Sequence, residues 1–255
     1  MNMKSEGIQK IDISSFEKKF QVMAYDLDMN YSSTMPVICN YLQEIGIAHG
    51  MKITADAGID SEDIVFVLTR LHVKMERYPS WGDTVTVRSW LSPINNRYII
   101  RNFKIYGGDD EVIGRAVNSA VPFDIKKRTG GIISGDLSGI QTLDAEPVLP
   151  HAFEKLTSVI SPDYEQNLEV RYFDCDFYHH VNNVKYVEWC IESLPAEFIR
   201  NHKLYEIDIN FRAEGNINDR LAVKSAAGSD PGVFNHAITG SGSGKDLVRM
   251  KSTWR

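Results

Sequence analysis

The chain has 255 residues, 43% of them hydrophobic and 24% charged, which is enough to bury a substantial core in one large domain or two of ordinary size. Its net charge of -6 argues against nucleic acid, which needs a concentrated basic face; the run Lys126-Lys127-Arg128, with Arg97 and Arg101, remains a candidate local basic patch for an acidic partner. Three cysteines with no CxxC spacing read as reduced thiols, the opening MNMKSEGIQKIDISSFEKKF has no apolar signal core, and no stretch approaches the ~18 apolar residues of a membrane span, so a cytoplasmic protein without a membrane span is expected.

A short alternating strand runs into Tyr25-Asp26-Leu27-Asp28, then a polar turn, then a helical pattern. Met35, Ile38, Leu42, Ile45 and His49 recur at steps of three and four, which places them on one helix face. Pro36 falls in the first turn, where a missing N–H costs nothing, and Ser33 or Thr34 can cap it. A long strand from Leu71, a turn closing on Asp83, the alternating Thr84-Val85-Thr86-Val87, and strands over 97–106 and 111–123 follow. Gly107-Gly108-Asp109-Asp110 between the last two is a hairpin signal.

The chain then repeats itself. Phe173-Asp174-Cys175-Asp176 matches Tyr25-Asp26-Leu27-Asp28 at an offset of 148, and the segment 207–226 resembles 71–90. A second helical stripe, Val184, Val187, Ile191 and Leu194, is capped by Asn182 and stopped by Pro195, with Trp189 and Cys190 widening its apolar surface. Strands over 232–240 and 246–254 close the second half. The stretch from about Ile125 to Lys155 is rich in Gly, Ser and Pro and lacks a period, so it reads as a linker. The expected organisation is a first half over 1–130, a linker over 131–155 and a second half over 156–255. Each half is strand, long helix and a run of antiparallel strands. A curved sheet wrapped around a central helix satisfies that order, and pairing two such units covers their sheet edges. The fold class is α+β, a tandem (double) hot-dog.

The candidate site lies in RYFDCDFYHHVNNVKYVEW, 171–189. Metal binding is disfavoured, because neighbouring histidines on extended backbone point apart and no zinc spacing is present. A purely architectural turn would look alike in both halves, yet the first copy keeps both aspartates and has Tyr31 and Ser32 where the second has His179 and His180. A neutral histidine takes a proton at cellular pH, and Asp176 four residues earlier can orient it. The following helix N-terminus around Val181 to Asn183 offers backbone N–H donors for an oxyanion. No Ser or Cys nucleophile is set up nearby, which favours direct attack by water.

HHVNNVKYVEW followed by IESLP, the WGD at Trp81 to Asp83 and the FRAE at Phe211 to Glu214 resemble the acyl-acyl-carrier-protein thioesterase family, whose motif reads roughly D-x-N-x-H-V-N-N-V-K-Y. The resemblance implies hydrolysis of the thioester between a fatty acyl chain and the phosphopantetheine arm of acyl carrier protein. No cofactor and no metal are expected, and the internal duplication leaves a monomer or homodimer open. By position Asp176, His180 and Glu214 match the family's catalytic residues. Tyr178 stands where the family has asparagine, and Gly215 where a cysteine often follows the glutamate, so a Cys–His mechanism is unavailable. Tyr178, Asn182 and Asn183 are expected to support the site, and His179 to point away. Either Glu214 or His180 activates the water. The resemblance also implies an acyl pocket in the first half, with Met35, Ile38, Leu42, Ile45, Val65, Val67 and Leu71 as liners or as plain core. The rivals are a coenzyme A thioesterase, a hot-dog hydratase or dehydratase, and a non-catalytic acyl-thioester-binding module.

Overall fold

The computed structural model describes residues 14–56, 64–94, 98–124, 129–130, 142–143, 148–149, 153, 155–242 and 244–255. The first half contains β1 (Ser15–Gln21), α1 (Met35–Asp56), β2 (Ile64–Met75), β3 (Thr84–Leu91), β4 (Ile99–Tyr106), β5 (Val112–Asp124) and the two-residue β6 (Thr129–Gly130). The second contains β7 (Tyr164–Glu169), α2 (Asn183–Glu192), α3 (Ala196–Asn201), β8 (Leu204–Phe211), β9 (Arg220–Ala227), β10 (Val233–Gly240) and β11 (Asp246–Trp254).

The strands form a single sheet in the order β1-β3-β4-β5-β2-β8-β11-β10-β9-β7, with β6 on β5. Read outward from its centre, this order is the same in both directions: β1, β3, β4, β5 and β2 mirror β7, β9, β10, β11 and β8. The seam is the antiparallel pair β2–β8, in register from Arg70 opposite Asn210 to Lys74 opposite Glu206. One continuous sheet thus replaces the two exposed edges that separate halves would carry. This is the tandem hot-dog expected from the repeat.

Local chemistry explains the elements. In β3 the burial alternates from Thr84 to Val87 as the Thr-Val pattern requires, and the inward residues meet α1. The α1 stripe is driven by burial of apolar side chains: Met35, Ile38, Leu42 and Ile45 are buried, and His49 continues the stripe fully enclosed. Thr34 caps this helix, its carbonyl accepting Ile38 N–H at 3.1 Å, while Ser33 Oγ is buried without a partner among the described residues. α1 lies against α2, β1 and β3, and α2 lies over β9 and β10. α2 is shorter because Pro195 has no N–H to continue it; the chain restarts as α3, a six-residue helix below the length at which periodicity is visible.

Of the proposed pocket liners, Met35, Ile38, Leu42, Ile45 and Leu71 belong to the main core, whereas Val65 and Val67 are only partly buried. The basic patch needs a correction. Arg101 turns inward, its Nη1 donating to His49 Nδ1 at 2.7 Å and to Ser89 Oγ at 3.0 Å, and burial pulls its pKa down to about 10. Arg97 and Lys126 to Arg128 lie outside the described residues, as does most of the linker. No helix among the described residues is long and apolar enough to cross a membrane.

Candidate active site

The turn that carries the histidines starts where β7 ends. Tyr172–Asp174 forms one 3₁₀ turn, with Asp174 Oδ2 accepting Arg171 N–H at 2.8 Å. Asp176 then closes a tight loop: its N–H donates to His180 O at 2.9 Å, its carbonyl accepts His179 N–H at 3.0 Å, and its Oδ1 accepts Tyr178 N–H at 2.9 Å. His179 takes a left-handed φ of 66°.

His180 and Glu214 come together from distant parts of the chain. Glu214 sits in the loop between β8 and β9, and its Oε2 lies 3.4 Å from His180 Nε2. Both side chains are partly exposed, so the pair is accessible to water and contributes little to stability. Beneath them Val181 N–H donates to Gly215 O at 2.9 Å, and Gly215 N–H donates to Tyr186 Oη at 2.8 Å. Tyr186, on α2, closes the HVNNVKY run and has no role assigned from the sequence, yet it is 2% exposed and joined to the residue after Glu214.

The remaining candidates take distinct places. Among the described residues, the Asp176 carboxylate bonds the Tyr178 amide and not the His180 ring. Tyr178 is exposed and packs against Phe177 with ring centroids 4.4 Å apart, so it meets the site through its backbone. Asn182 caps α2, its Oδ1 accepting Val184 N–H at 2.9 Å, and Asn183 is the first helical residue. The oxyanion expectation narrows. Val181 N–H is spent on Gly215 O and Asn182 N–H on Asp174 O, leaving the amide of Asn183 as the donor without an acceptor among the described residues. His179 faces a different surface, a depression of about 380 Å³ lined also by Tyr172, Phe173, Cys175, Asp176, Phe177 and Ile217.

The surroundings of the three thiols do not activate them as nucleophiles. Burial pushes Cys39 up to about 12 and raises Cys190 further. Cys175 is raised by burial and by Asp174, Asp176 and Asp219. All three are held as thiols at neutral pH.

The strand order and its mirrored halves define a tandem hot-dog protein. The acyl-ACP thioesterase N-terminal domain matches residues 14–138, and the acyl-ACP thioesterase C-terminal domain matches residues 158–255. The chain belongs to the acyl-ACP thioesterase family. It is 26% identical to a chloroplastic dodecanoyl-[acyl-carrier-protein] hydrolase of Cinnamomum camphora, over 94% of this chain and 67% of that protein. It is 27% identical to a chloroplastic oleoyl-acyl carrier protein thioesterase of Coriandrum sativum, over 94% and 77%. The solved 12:0-ACP thioesterase of Umbellularia californica superposes with a TM-score of 0.83 at 26% identity, covering 94% of this chain and 97% of that one. An acyl-ACP thioesterase of Bacteroides thetaiotaomicron shares the fold, with a TM-score of 0.84 at 20% identity over 95% and 98% of the two chains.

Proposed function

We propose that the protein hydrolyses fatty acyl-acyl carrier protein to free fatty acid and carrier protein, with water attacking the thioester directly. The observation that carries the site assignment is the approach of His180 Nε2 to Glu214 Oε2 at 3.4 Å, in the half where the repeat has gained a histidine. Family membership supplies the thioester hydrolase class and favours the carrier-protein ester over the coenzyme A ester.

In this reading the water oxygen bonds to the acyl carbonyl carbon while Glu214 accepts its proton. His180, its Nε2 3.4 Å from Glu214 Oε2, holds the carboxylate in place by charge. The negative charge that develops on the carbonyl oxygen meets the free Asn183 amide at the positive end of α2. The C–S bond then breaks, and the departing sulfur takes the proton that the water gave up. Asp176 supports the reaction at one remove, by closing the turn that presents His180.

The test is free fatty acid release from a panel of acyl-carrier-protein and acyl-coenzyme-A esters of graded chain length. Release that prefers the carrier-protein esters is the expected result. Binding of these esters without release from any of them would overturn the hydrolase reading in favour of a binding module. In the same assay Glu214→Gln separates the two candidate bases: retained turnover would transfer the proton-accepting role to His180.

A further inference from the structure

Gly215 is held from both sides, and the tandem repeat offers an internal comparison for that grip. Its carbonyl accepts Val181 N–H at 2.9 Å and its N–H donates to Tyr186 Oη at 2.8 Å. The Tyr186 ring is itself fixed, edge-on to Trp189 at 5.6 Å and tilted toward Phe211 at 6.2 Å between centroids. A Cβ at position 215 would lie 2.9 Å from Tyr186 Oη, 3.1 Å from Val181 Cγ2 and 3.3 Å from Leu247 Cδ2, so the hydroxyl occupies the space that any side chain there would need.

The first half has the same contact without the tyrosine. Ser33 N–H donates to Pro79 O at 2.9 Å, as Val181 N–H does to Gly215 O. Position 79 precedes 215 by the offset that relates Asp83 to Asp219, and Ile38 precedes Tyr186 by the offset that relates Asp28 to Asp176. Proline has no N–H and isoleucine no hydroxyl, so donor and acceptor are missing together and no buried group is orphaned. The half with His180 has both members of the bond; the half with Ser32 has neither. A bond required only to hold the loop would be expected in both.

We propose that Tyr186 is a positioning residue of the hydrolytic site, its hydroxyl fixing the Gly215 backbone so that Glu214, one residue before it, meets His180, one residue before Val181. The inference rests on the thioesterase reading for its rate consequences and on geometry alone for its structural ones. Burial is the main influence on the phenol and keeps it protonated, so it accepts the Gly215 N–H as a neutral oxygen.

The experiment is a cycle of Tyr186→Phe, Gly215→Ala and the double variant, assayed for turnover of an acyl-carrier-protein ester, with a crystal structure of Tyr186→Phe. Tyr186→Phe is expected to lower kcat by about 10- to 100-fold, the order of loss for a displacement near 1 Å, and to leave KM within about threefold. The double variant is expected to lose about as much as either single one, because both break the same grip. In the crystal the His180–Glu214 separation is expected to open by about 1 Å from its 3.4 Å. Wild-type kcat in Tyr186→Phe, or losses that multiply in the double variant, would overturn the proposal. Should Tyr186→Phe fail to fold, Gly215→Ala decides: it displaces the hydroxyl without removing it, and unchanged kcat there would be equally fatal. A wild-type protein that hydrolyses no ester would sink the thioesterase reading, and the separation measured in Tyr186→Phe would still judge the positioning role.

Discussion

The turns before α1 and before α2 share nearly every backbone hydrogen bond and differ in what they present to solvent. Asp28 N–H donates to Ser32 O at 2.9 Å as Asp176 N–H does to His180 O, and Asp28 Oδ1 accepts Asn30 N–H at 2.8 Å as Asp176 Oδ1 accepts Tyr178 N–H. Tyr31 and His179 both adopt left-handed backbone, at φ 57° and 66°. Val22 and Val170 each pair both ways with the following turn, at Asp83 and Gly82 in one half and at Asp219 and Asn218 in the other. The lesson is a division of labour. The aspartates build the turn wherever it occurs, and in the proposed reading the chemistry is added by three differences confined to the second half: His180 in place of Ser32, Glu214 in place of Tyr78, and the Tyr186/Gly215 pair in place of Ile38/Pro79.

That division can be broken at its strongest point first. His180→Ala should cost about 10²- to 10⁴-fold in turnover, while Ser32→Ala at the matching position should stay within about twofold, both read from free acid release. Next comes the pair at the second corner. Glu214→Gln should cost about 10²-fold in kcat with little change in melting temperature. Tyr78→Phe should do the reverse, losing a 2.7 Å bond to Leu204 O and about 1 kcal/mol of stability while leaving turnover near wild type.

A third test uses the interior. His236 is fully buried, bonded to Ser225 Oγ at 2.6 Å and Ser252 Oγ at 2.8 Å, and burial lowers its pKa to about 3. Phe103 occupies the matching register, opposite Ser89 as His236 is opposite Ser225. As pH falls below ~6.5 the unfolded chain takes up a proton that the folded chain refuses, so stability should decline by up to about 1.4 kcal/mol per pH unit toward pH 3. His236→Phe should flatten that decline in denaturant titrations run at several pH values. Ser225 and Ser252 would keep partners in Ser193 Oγ and Trp254 Nε1. The smallest effects belong to the shared aspartates. Asp28→Ala and Asp176→Ala should each lose about 1 kcal/mol by calorimetry, and only the latter should also slow turnover, by about tenfold.

Much of this is legible in the sequence. The 148-residue offset locates both turns, the alternation in Thr84 to Val87 and the Asn182 cap follow from local rules, and the asymmetry of His180 against Ser32 marks the half proposed to carry the site. The Tyr186–Gly215 grip was not read, although aligning 79 with 215 and 38 with 186 would have exposed it, because a proline and an isoleucine look like ordinary loop and core. Arg101 was misplaced on the surface because a charged residue in a strand carries no sign of which face it takes until the partner strand is set. The spending of the Val181 and Asn182 amides depends on Gly215 and Asp174 across the loop, contacts that no spacing encodes. α3 was missed because six residues give too short a stripe.

The central claim is that water, brought to the His180–Glu214 pair, attacks the thioester without an acyl-enzyme. Its most direct test is the intact mass of the wild-type chain quenched at successive times during turnover of an acyl-carrier-protein ester. The account predicts an unmodified chain at every time while free acid accumulates. An acyl adduct that forms and decays at the rate of turnover, on Cys175 or on any other residue, would contradict it.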